Sequence, residues 1–443
     1  MLLALALLAG GTALGLYLAL GGEPGNVSNP NVEFTDSGTT PKPPKPKQLS
    51  WPVYGYTPER TRYLDAPAVH PPFKRVWLAK LGHLIEFQPV LANGVLYVVP
   101  NDGVARAVDA GTGKVRWKTR VGSLNASSPA FYRGDLYIAT LSKRITALRA
   151  KDGKRRWKRN LPSRSESSPV VIEGTLYVGS EDGTVYAIKA ATGRILWTYR
   201  AGGAVKGGLA YSGGRLYFGD YNGQVTALQA KNGKRIWQSG TQGRSFGRSG
   251  NFYSTAAVKY GRVYIGNTDG FVYSFSARTG QLAWRHRTGA YVYAAPAVAN
   301  VKGTPPTVYI GSYDQNFYAL DARSGNVRWK YNARGRISGA PTVIGRVVYF
   351  SELGNKTTSG LDVRSGRRVF KLSSGAFNPA ISDGRRLYIT GYSSLYGFEP
   401  RGRVARKPPK ARPHRRKAQP RPKARPHRKH PKRRLDPSQF QKR

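Results

Sequence analysis

Only a few residues of this sequence have types and spacings that could support chemistry. Residues 243–247 (GRSFG) match the G-x-S-x-G pattern of a serine nucleophile, but that pattern functions at a turn between a strand and a helix. Recurring aspartates could suggest metal ligands, and they stand at Asp102, Asp182, Asp269 and Asp314. Because they fall in turn sequences such as NDG and EDG, we expect each carboxylate to cap its own turn.

Other reactive groups are scarce. The chain has no cysteine, which excludes disulfides, thiolate zinc sites, a catalytic thiol and a lipidated N-terminal cysteine. His70, His83 and His286 lack the spacing of metal ligands. The sequence therefore predicts no catalytic residue, no cofactor site and no metal site. Its formal charge of +49 instead favours anionic partners.

The elements that would position a site follow a repeat of about 40 residues. Its most regular marker is an aromatic residue, found as Trp77, Trp117, Trp157, Trp197, Trp237, Trp284, Trp329 and Phe370. A tyrosine series keeps the same step from Tyr97 to Tyr388, and a glycine stands four residues before each aromatic from Trp117 onward. Such a period with short apolar strands is typical of β-propeller blades.

The unit at residues 166–199 shows why helices are excluded. It contains four short strands, and turns such as Asp182-Gly183 separate them. Four antiparallel strands in about 40 residues leave no room for the crossover helix of a parallel sheet. Eight tyrosine-centred strands therefore predict an all-β, eight-bladed propeller of four-stranded antiparallel blades over residues 51–400.

The two ends of the repeat region are complementary. The last unit stops after its third strand, whereas residues 74–80 form an outer strand with no blade before it. We expect residues 74–80 to complete the last blade, because this pairing closes the ring and removes its open edges.

The unit, approximately SSP-x4-GxLYVGS-x-DGxVYAL-DAxTGKxxW, resembles the repeat of the PQQ-like (pyrroloquinoline-quinone) propeller superfamily over residues 74–398. Its blade style is most similar to BamB-type scaffolds of outer-membrane assembly. Trp51-Pro52 and the later Arg62-Tyr63 resemble the segment that precedes the first blade in that superfamily. The resemblance implies that the repeated aromatic docks between neighbouring blades.

The superfamily also contains quinoprotein dehydrogenases, so a PQQ-dependent oxidoreductase is the alternative function. Its alcohol-type members hold their cofactor with a vicinal disulfide, a calcium site and long loops. This chain has no cysteine, few acidic residues and regular blades. A non-catalytic role is therefore favoured.

The N-terminal residues 1–22 are expected to form a transmembrane signal anchor. Residues 2–20 are uncharged and long enough, as a helix, to cross a bilayer. Without a basic n-region or a good cleavage site, a retained anchor is favoured over a cleaved signal peptide or a buried helix. No basic residue follows until Lys42, which favours an extracytoplasmic propeller on a bacterial inner membrane. Residues 23–50 are interpreted as a Pro-rich linker.

Two further segments depart from the repeat. In the loop 239–253, Arg244, Phe246, Arg248 and Phe252 could bind a partner, although an inert surface loop is the simpler interpretation. Residues 401–443 hold 19 Lys and Arg against one acidic residue and are expected to be disordered. They could tether the protein to polyanions, whereas specific nucleic-acid recognition is not expected without base-stacking aromatics.

These features together predict a non-catalytic, membrane-anchored extracytoplasmic propeller that is monomeric and acts as an interaction scaffold in the cell envelope. Its expected partners are an envelope protein or an anionic polymer or lipid.

Overall fold

Each repeat folds as one antiparallel sheet, because residues that accept tight turns separate its short apolar strands. The computed structural model describes residues 25–35, 50–241 and 250–402, and within them eight such sheets follow one another. The first strands of neighbouring sheets contact each other, which places them around the axis of a ring. The predicted all-β, eight-bladed propeller is confirmed.

The four strands of a blade run outward from the axis in chain order. The innermost strands are Val90–Ala92, Ala130–Tyr132, Val170–Ile172, Ala210–Ser212, Ala257–Lys259, Ala297–Ala299, Thr342–Ile344 and Ala380–Ser382. The second strands are Val95–Val98, Asp135–Thr140, Thr175–Gly179, Arg215–Gly219, Arg262–Gly266, Thr307–Gly311, Val347–Glu352 and Leu387–Thr390. The third strands are Val104–Asp109, Arg144–Arg149, Thr184–Lys189, Gln224–Gln229, Phe271–Ser276, Asn316–Asp321, Thr357–Asp362 and Ser394–Pro400. The outermost strands are Val115–Arg120, Arg155–Asn160, Ile195–Arg200, Arg235–Gly240, Leu282–Arg287, Val327–Asn332, Arg368–Leu372 and, in blade 8, Phe73–Lys80.

Blade 8 contains both ends of the repeat region. Phe73–Lys80 pairs antiparallel with Ser394–Pro400, and the Trp77 ring lies 5.9 Å from the ring of Tyr388. This is the pairing that the sequence predicts for residues 74–80. Because the early strand covers the edge of the last unit, the ring is closed by non-covalent contacts alone.

Two blades carry a fifth strand that the sequence does not predict. Val27–Ser28 pairs antiparallel with the outermost strand of blade 5, and Tyr63–Leu64 pairs parallel with the innermost strand of blade 7. Near the first of these, Val32 is buried and the Phe34 ring stacks on Tyr260 at 5.1 Å. The sequence predicts a linker over residues 23–50, but residues 25–35 pack on blade 5 because its strand edge and Tyr260 offer partners.

The lead-in segment, residues 51–64, lies across the axis. Amides of six innermost strands donate to its carbonyl oxygens at 2.7–2.9 Å. The donor–acceptor pairs are Leu91–Trp51, Phe131–Pro52, Tyr211–Pro58, Val258–Glu59, Val298–Thr61 and Val343–Arg62. The innermost strands would otherwise turn unpaired amides toward the axis, so the lead-in segment satisfies them and closes the centre of the ring.

The predicted membrane anchor and the basic tail beyond residue 402 lie outside the described residues. Within the described ranges, no helical segment has the length and hydrophobicity that a membrane span requires.

Candidate functional site

The repeated aromatics lie at the junctions between blades. Each of the seven tryptophans donates a hydrogen bond from Nε1 to a backbone carbonyl of the next blade, at 2.7–3.1 Å. The pairs are Trp77–Ala110, Trp117–Ala150, Trp157–Ala190, Trp197–Ala230, Trp237–Ala277, Trp284–Ala322 and Trp329–Val363. Phe370, which has no ring donor, packs on Phe73 and Phe398 of blade 8 at centroid distances of 5.7 and 5.9 Å.

The tyrosine and glycine series belong to the same junctions. Tyr177 lies 5.9 Å from Trp197 of its own blade, and its hydroxyl donates to the carbonyl of Ala230 that Trp197 also contacts. Gly233 of the next blade has φ +73°, and a Cβ there would lie 2.7 Å from Cε3 of Trp197. Three regularities of the sequence therefore form one packing unit that holds neighbouring blades together.

The recurring aspartates cap their turns. Their Oδ1 atoms accept the amide of the residue two positions later at 2.8–3.1 Å, in the pairs Asp102–Val104, Asp182–Thr184, Asp269–Phe271 and Asp314–Asn316. Each pair lies in a different blade. Across residues 25–35, 50–241 and 250–402, no group of three His, Cys, Asp or Glu residues could hold a metal ion.

The candidate partner-binding loop is only partly described. Arg244, Phe246 and Arg248 lie outside the described residues, as does the GRSFG motif, so their roles stay predictions. Phe252 is fully buried, with its ring 5.9 Å from Tyr273. Because Gly219 has no side chain, the phenyl group fills the space against it, and Phe252 cannot contribute to an exposed binding surface.

A cleft with about 460 Å³ of space, its open mouth included, lies at the axis, and we call it the funnel. Seven blades line it with the segments that lead into their innermost strands, and Tyr54 of the lead-in segment also lines it. One repeat position, four residues before each innermost strand, supplies much of its chemistry. In chain order that position holds Glu86, Ala126, Glu166, Lys206, Tyr253, Tyr293, Ser338 and Ala376.

Charged and polar groups pair on one side of the funnel. Lys206 Nζ lies 2.7 Å from Oε1 of Glu166 and 3.7 Å from Oε1 of Glu181, and the Tyr253 hydroxyl donates to Oε2 of Glu166 at 2.9 Å. Burial alone would raise the pKa of Glu166, but the hydrogen bonds and charge of Lys206 outweigh it and the pKa is lowered. Burial and the nearby Glu166 raise the pKa of Tyr253, so its hydroxyl remains a donor.

Glu86 lies across from this cluster and differs from it. Its carboxylate makes no hydrogen bond or ion pair with the described residues, although its backbone carbonyl accepts from Asn378 Nδ2. Burial, followed by repulsion from Glu166, raises its pKa to about 6. Above that pH the funnel therefore holds an ionised, half-buried carboxylate that pairs with none of the described residues.

The floor of the funnel is held by hydrogen bonds and ring contacts. The Tyr54 hydroxyl donates to Oδ1 of Asn378 at 3.0 Å, its ring meets Phe87 edge-on at 5.6 Å, and the Arg62 guanidinium lies 4.5 Å from its centroid. The fully buried Arg60 donates to the carbonyls of Leu209 and Ser168, both at 2.9 Å. These contacts attach the floor to blades 1, 3, 4 and 8.

Beside the funnel, tyrosines of blades 4 to 6 form a continuous surface that we call the tyrosine arc. Its rings lie 4.8–6.4 Å apart, and its members are Tyr221, Tyr253, Tyr291, Tyr293 and Tyr313. Tyr291 is 54% exposed. Cations stand at both ends, with Lys206 5.3 Å from the Tyr221 ring and Arg336 5.8 Å from the Tyr313 ring.

The funnel does not fit pyrroloquinoline quinone, the cofactor that the fold implies. That molecule carries several carboxylates, which need cationic or hydrogen-bonding partners. Lys206 is the one cation among the described lining residues, and Glu166 and Glu181 already pair with it. The unpaired Glu86 would repel a bound carboxylate. No reaction step through this cofactor follows from the residues present.

Comparisons with solved structures place the fold among known propellers. BamB from Moraxella catarrhalis has a TM-score of 0.61 at 17% identity, covering 74% of this chain and 98% of its own. A europium-containing methanol dehydrogenase has a TM-score of 0.68 at 14% identity, covering 79% and 98%. Quinohemoprotein alcohol dehydrogenase from Comamonas testosteroni has a TM-score of 0.64 at 15% identity, covering 80% and 81%. Such low identities show a shared fold alone.

Sequence comparison is more specific. No curated protein matches the chain significantly. The family model described as outer membrane protein assembly factor BamB, in contrast, matches residues 73–170, 161–305 and 299–419, which span most of the chain. With its eight PQQ-like blades, this chain belongs to the BamB family of propellers.

Proposed function

We propose that the protein is a non-catalytic interaction scaffold of the bacterial cell envelope. In this proposal the apolar N-terminal segment anchors it in the inner membrane, with the propeller on the extracytoplasmic side. The funnel and the tyrosine arc form the face that docks a partner protein, and the basic tail adds attraction to anionic polymers or lipids.

The tyrosine arc is the observation that carries the proposal. Tyrosine is enriched at protein interfaces because it offers a large apolar ring together with a polar tip. Here five tyrosine rings from three blades contact one another on one face, beside the funnel. Membership of the BamB family also supports a scaffold rather than a particular partner.

Site-specific photo-crosslinking in envelope fractions tests the docking face. A benzoylphenylalanine at Tyr291 should capture a discrete protein partner, because that side chain is exposed at the arc. The control position is Glu173, which is also exposed but lies in the turn at the other end of the innermost strand of blade 3. Equal capture from both positions, or none from Tyr291, would contradict the proposed face.

The basic tail is tested separately by truncation after residue 402. The full-length protein should bind an anionic polymer with an affinity that falls steeply with salt, because each neutralised anionic group releases counterions. The truncated chain should lose most of this binding. An unchanged affinity would show that the propeller surface alone is responsible.

A PQQ-dependent oxidoreductase is the competing function, and it has the fold likeness to methanol and alcohol dehydrogenases in its favour. Glu86, which pairs with none of the described residues, and Lys206, which already pairs with Glu166, argue against it. Titration with PQQ and calcium separates the two functions. Stoichiometric binding with reduction of an electron-accepting dye would refute the scaffold proposal.

A further inference from the structure

We propose that the funnel accepts a basic side chain, that of a lysine or arginine, from an extended segment of the docked partner. This inference rests on the proposed function, because it takes the funnel face as the docking face. It adds the chemistry of recognition: the partner would insert a cation between Glu86 and the aromatic wall of the funnel.

The charge of the funnel is opposite to that of the chain. Lys and Arg outnumber Asp and Glu by 72 to 23 in the whole sequence. The described lining of the funnel contains two carboxylates, Glu86 and Glu166, and one cation, Lys206. Because interactions inside a partly enclosed cavity are less screened than those at the surface, this local excess governs what can be inserted.

Glu86 is the group available for the cation. Glu166 is already satisfied by Lys206 at 2.7 Å and by the Tyr253 hydroxyl at 2.9 Å. The Glu86 carboxylate, in contrast, has no partner among the described residues and is half-buried. A carboxylate in such a position is destabilised when ionised, and a cation would remove that cost.

The aromatic wall suits the same ligand. Tyr253 and Tyr293 occupy the repeat position of Glu86 in blades 5 and 6, and Phe87 and Tyr54 complete the wall. A cation over an aromatic face is attracted by the negative face of the ring, and the attraction is stronger where water is excluded. The chain uses this contact at the ends of the arc, where Lys206 and Arg336 lie over Tyr221 and Tyr313.

The dimensions indicate a side chain from an extended segment. The funnel offers about 460 Å³ of space, its open mouth included, which leaves room for one side chain but for no folded element. The neighbouring arc, with Tyr291 at its exposed edge, can contact the residues on either side of the inserted one. A charged anchor residue contributes most to binding where the apolar surface around it excludes water.

Binding of a defined probe to the purified full-length protein tests the inference. The probe is the peptide Ac-Gly-Gly-Lys-Gly-Gly-NH2, compared with its Nε-acetyl-lysine counterpart, and affinity is measured by NMR titration. The lysine peptide should bind saturably and the acetylated peptide should not. Glu86→Gln should weaken binding at least about tenfold, since a charge-assisted hydrogen bond is lost. Lys206→Gln should strengthen it by releasing Glu166.

The matched control is Glu173→Gln, the same substitution in an exposed turn at the opposite end of blade 3, which should leave affinity unchanged. Affinity in the parent should also fall below pH 6, as Glu86 becomes protonated. Other titratable groups lie nearby: Glu166, Lys206 and Tyr253 face Glu86, and His83 on the same segment lies 3.5 Å from Asp102. If the pH effect is lost in Glu86→Gln, Glu86 is its source.

The outcomes separate the inference from the proposed function. No saturable lysine-peptide binding, or binding that is equal in the parent and Glu86→Gln, overturns the inference. If crosslinking at Tyr291 still captures a partner in that case, the docking face stands without the basic side chain. If crosslinking fails while the peptide binds as described, the funnel recognises cations but the partner lies elsewhere.

Discussion

The indole Nε1 of Trp197 donates a hydrogen bond of 3.1 Å to the backbone carbonyl of Ala230 in the next blade. Six other tryptophans repeat this bond around the ring at 2.7–3.1 Å. Each bond fixes both the distance and the rotation between two sheets, so the indole acts as a spacer as well as an apolar group.

Replacing Trp197 by alanine should lower the free energy of unfolding by about 3–5 kcal/mol, because a large aromatic contact is lost and a cavity remains. Trp197→Phe should cost only about 1 kcal/mol, since the ring is kept and Tyr177 still donates to the Ala230 carbonyl. Phe370 shows that one junction accepts a phenyl ring. Urea denaturation measures both changes.

The control for Trp197→Ala is Leu196→Ala on the same strand. The Leu196 side chain is 42% exposed, so its loss should change stability by no more than about 0.5 kcal/mol. Similar costs at the two positions would show that the junction contributes little.

Two glycines of blade 3 separate backbone strain from packing. Gly193 and Gly174 have φ of +73° and +80°. A Cβ added at Gly193 would lie 2.7 Å from Trp157, whereas a Cβ added at Gly174 would have no atom within 4 Å. Gly174→Ala should therefore cost about 1 kcal/mol, the strain of a left-handed alanine. Gly193→Ala should cost clearly more in the same denaturation experiment. Equal costs would mean that the indole moves aside without penalty.

Ring closure gives a third prediction. Deletion of residues 70–82 removes the outermost strand of blade 8, which pairs with Ser394–Pro400, and removes Trp77 with its bond to Ala110. The exposed edge and the open junction should abolish cooperative thermal unfolding. Calorimetry of the deletion variant measures this, with the parent as reference. A cooperative transition at the parent temperature would contradict a closing role.

The blades could be predicted from sequence because every blade needs the same residue types at the same positions. Tyrosine, tryptophan and glycine keep one step for more than 300 residues. The turn aspartates could be interpreted from single short motifs, and Asp182 and its equivalents do cap their turns.

Other elements could not be predicted because nothing repeats them. Val27–Ser28 and Tyr63–Leu64 are two-residue strands, too short for any alternation to be visible. The lead-in segment places Tyr56, Arg60 and Arg62 at φ of 75°, 61° and 54°, a conformation that their residue types do not announce. Its backbone follows the ring because the innermost strands supply donors.

The sequence does contain a signal for the funnel, but it can be interpreted only once the blades are known to form a ring. Its chemistry comes from one repeat position, where Glu86 and Glu166 share a register with Lys206, Tyr253 and Tyr293. In the sequence these residues are separated by whole blades, so no local motif forms. Polar and charged residues at a position that precedes mostly apolar strands are the pattern that would have indicated it.

The pH dependence of stability gives the last prediction. The pKa of Glu86 is about 6 in the folded protein, against 4.5 for the same side chain in the unfolded chain. Between these values the folded chain keeps a proton that the unfolded chain has lost, so folding is favoured by protonation and stability falls as pH rises through this window. Glu86→Gln cannot ionise and should escape the penalty, gaining about 1 kcal/mol above pH 6 after allowance for solvent screening, and nothing below pH 4.5.

Urea denaturation of the parent and of Glu86→Gln across this range measures the difference, and Glu173→Gln serves as the isosteric control because its side chain is exposed. A constant difference between parent and Glu86→Gln would contradict the strained carboxylate. We expect Glu86→Gln to be more stable above pH 6 and yet to bind the lysine peptide less tightly. This pair of results would mean that the Glu86 carboxylate destabilises the free protein and is stabilised only when a ligand binds. That combination distinguishes a carboxylate that binds a ligand from one that supports the fold, since replacing the latter would lower the stability of the protein.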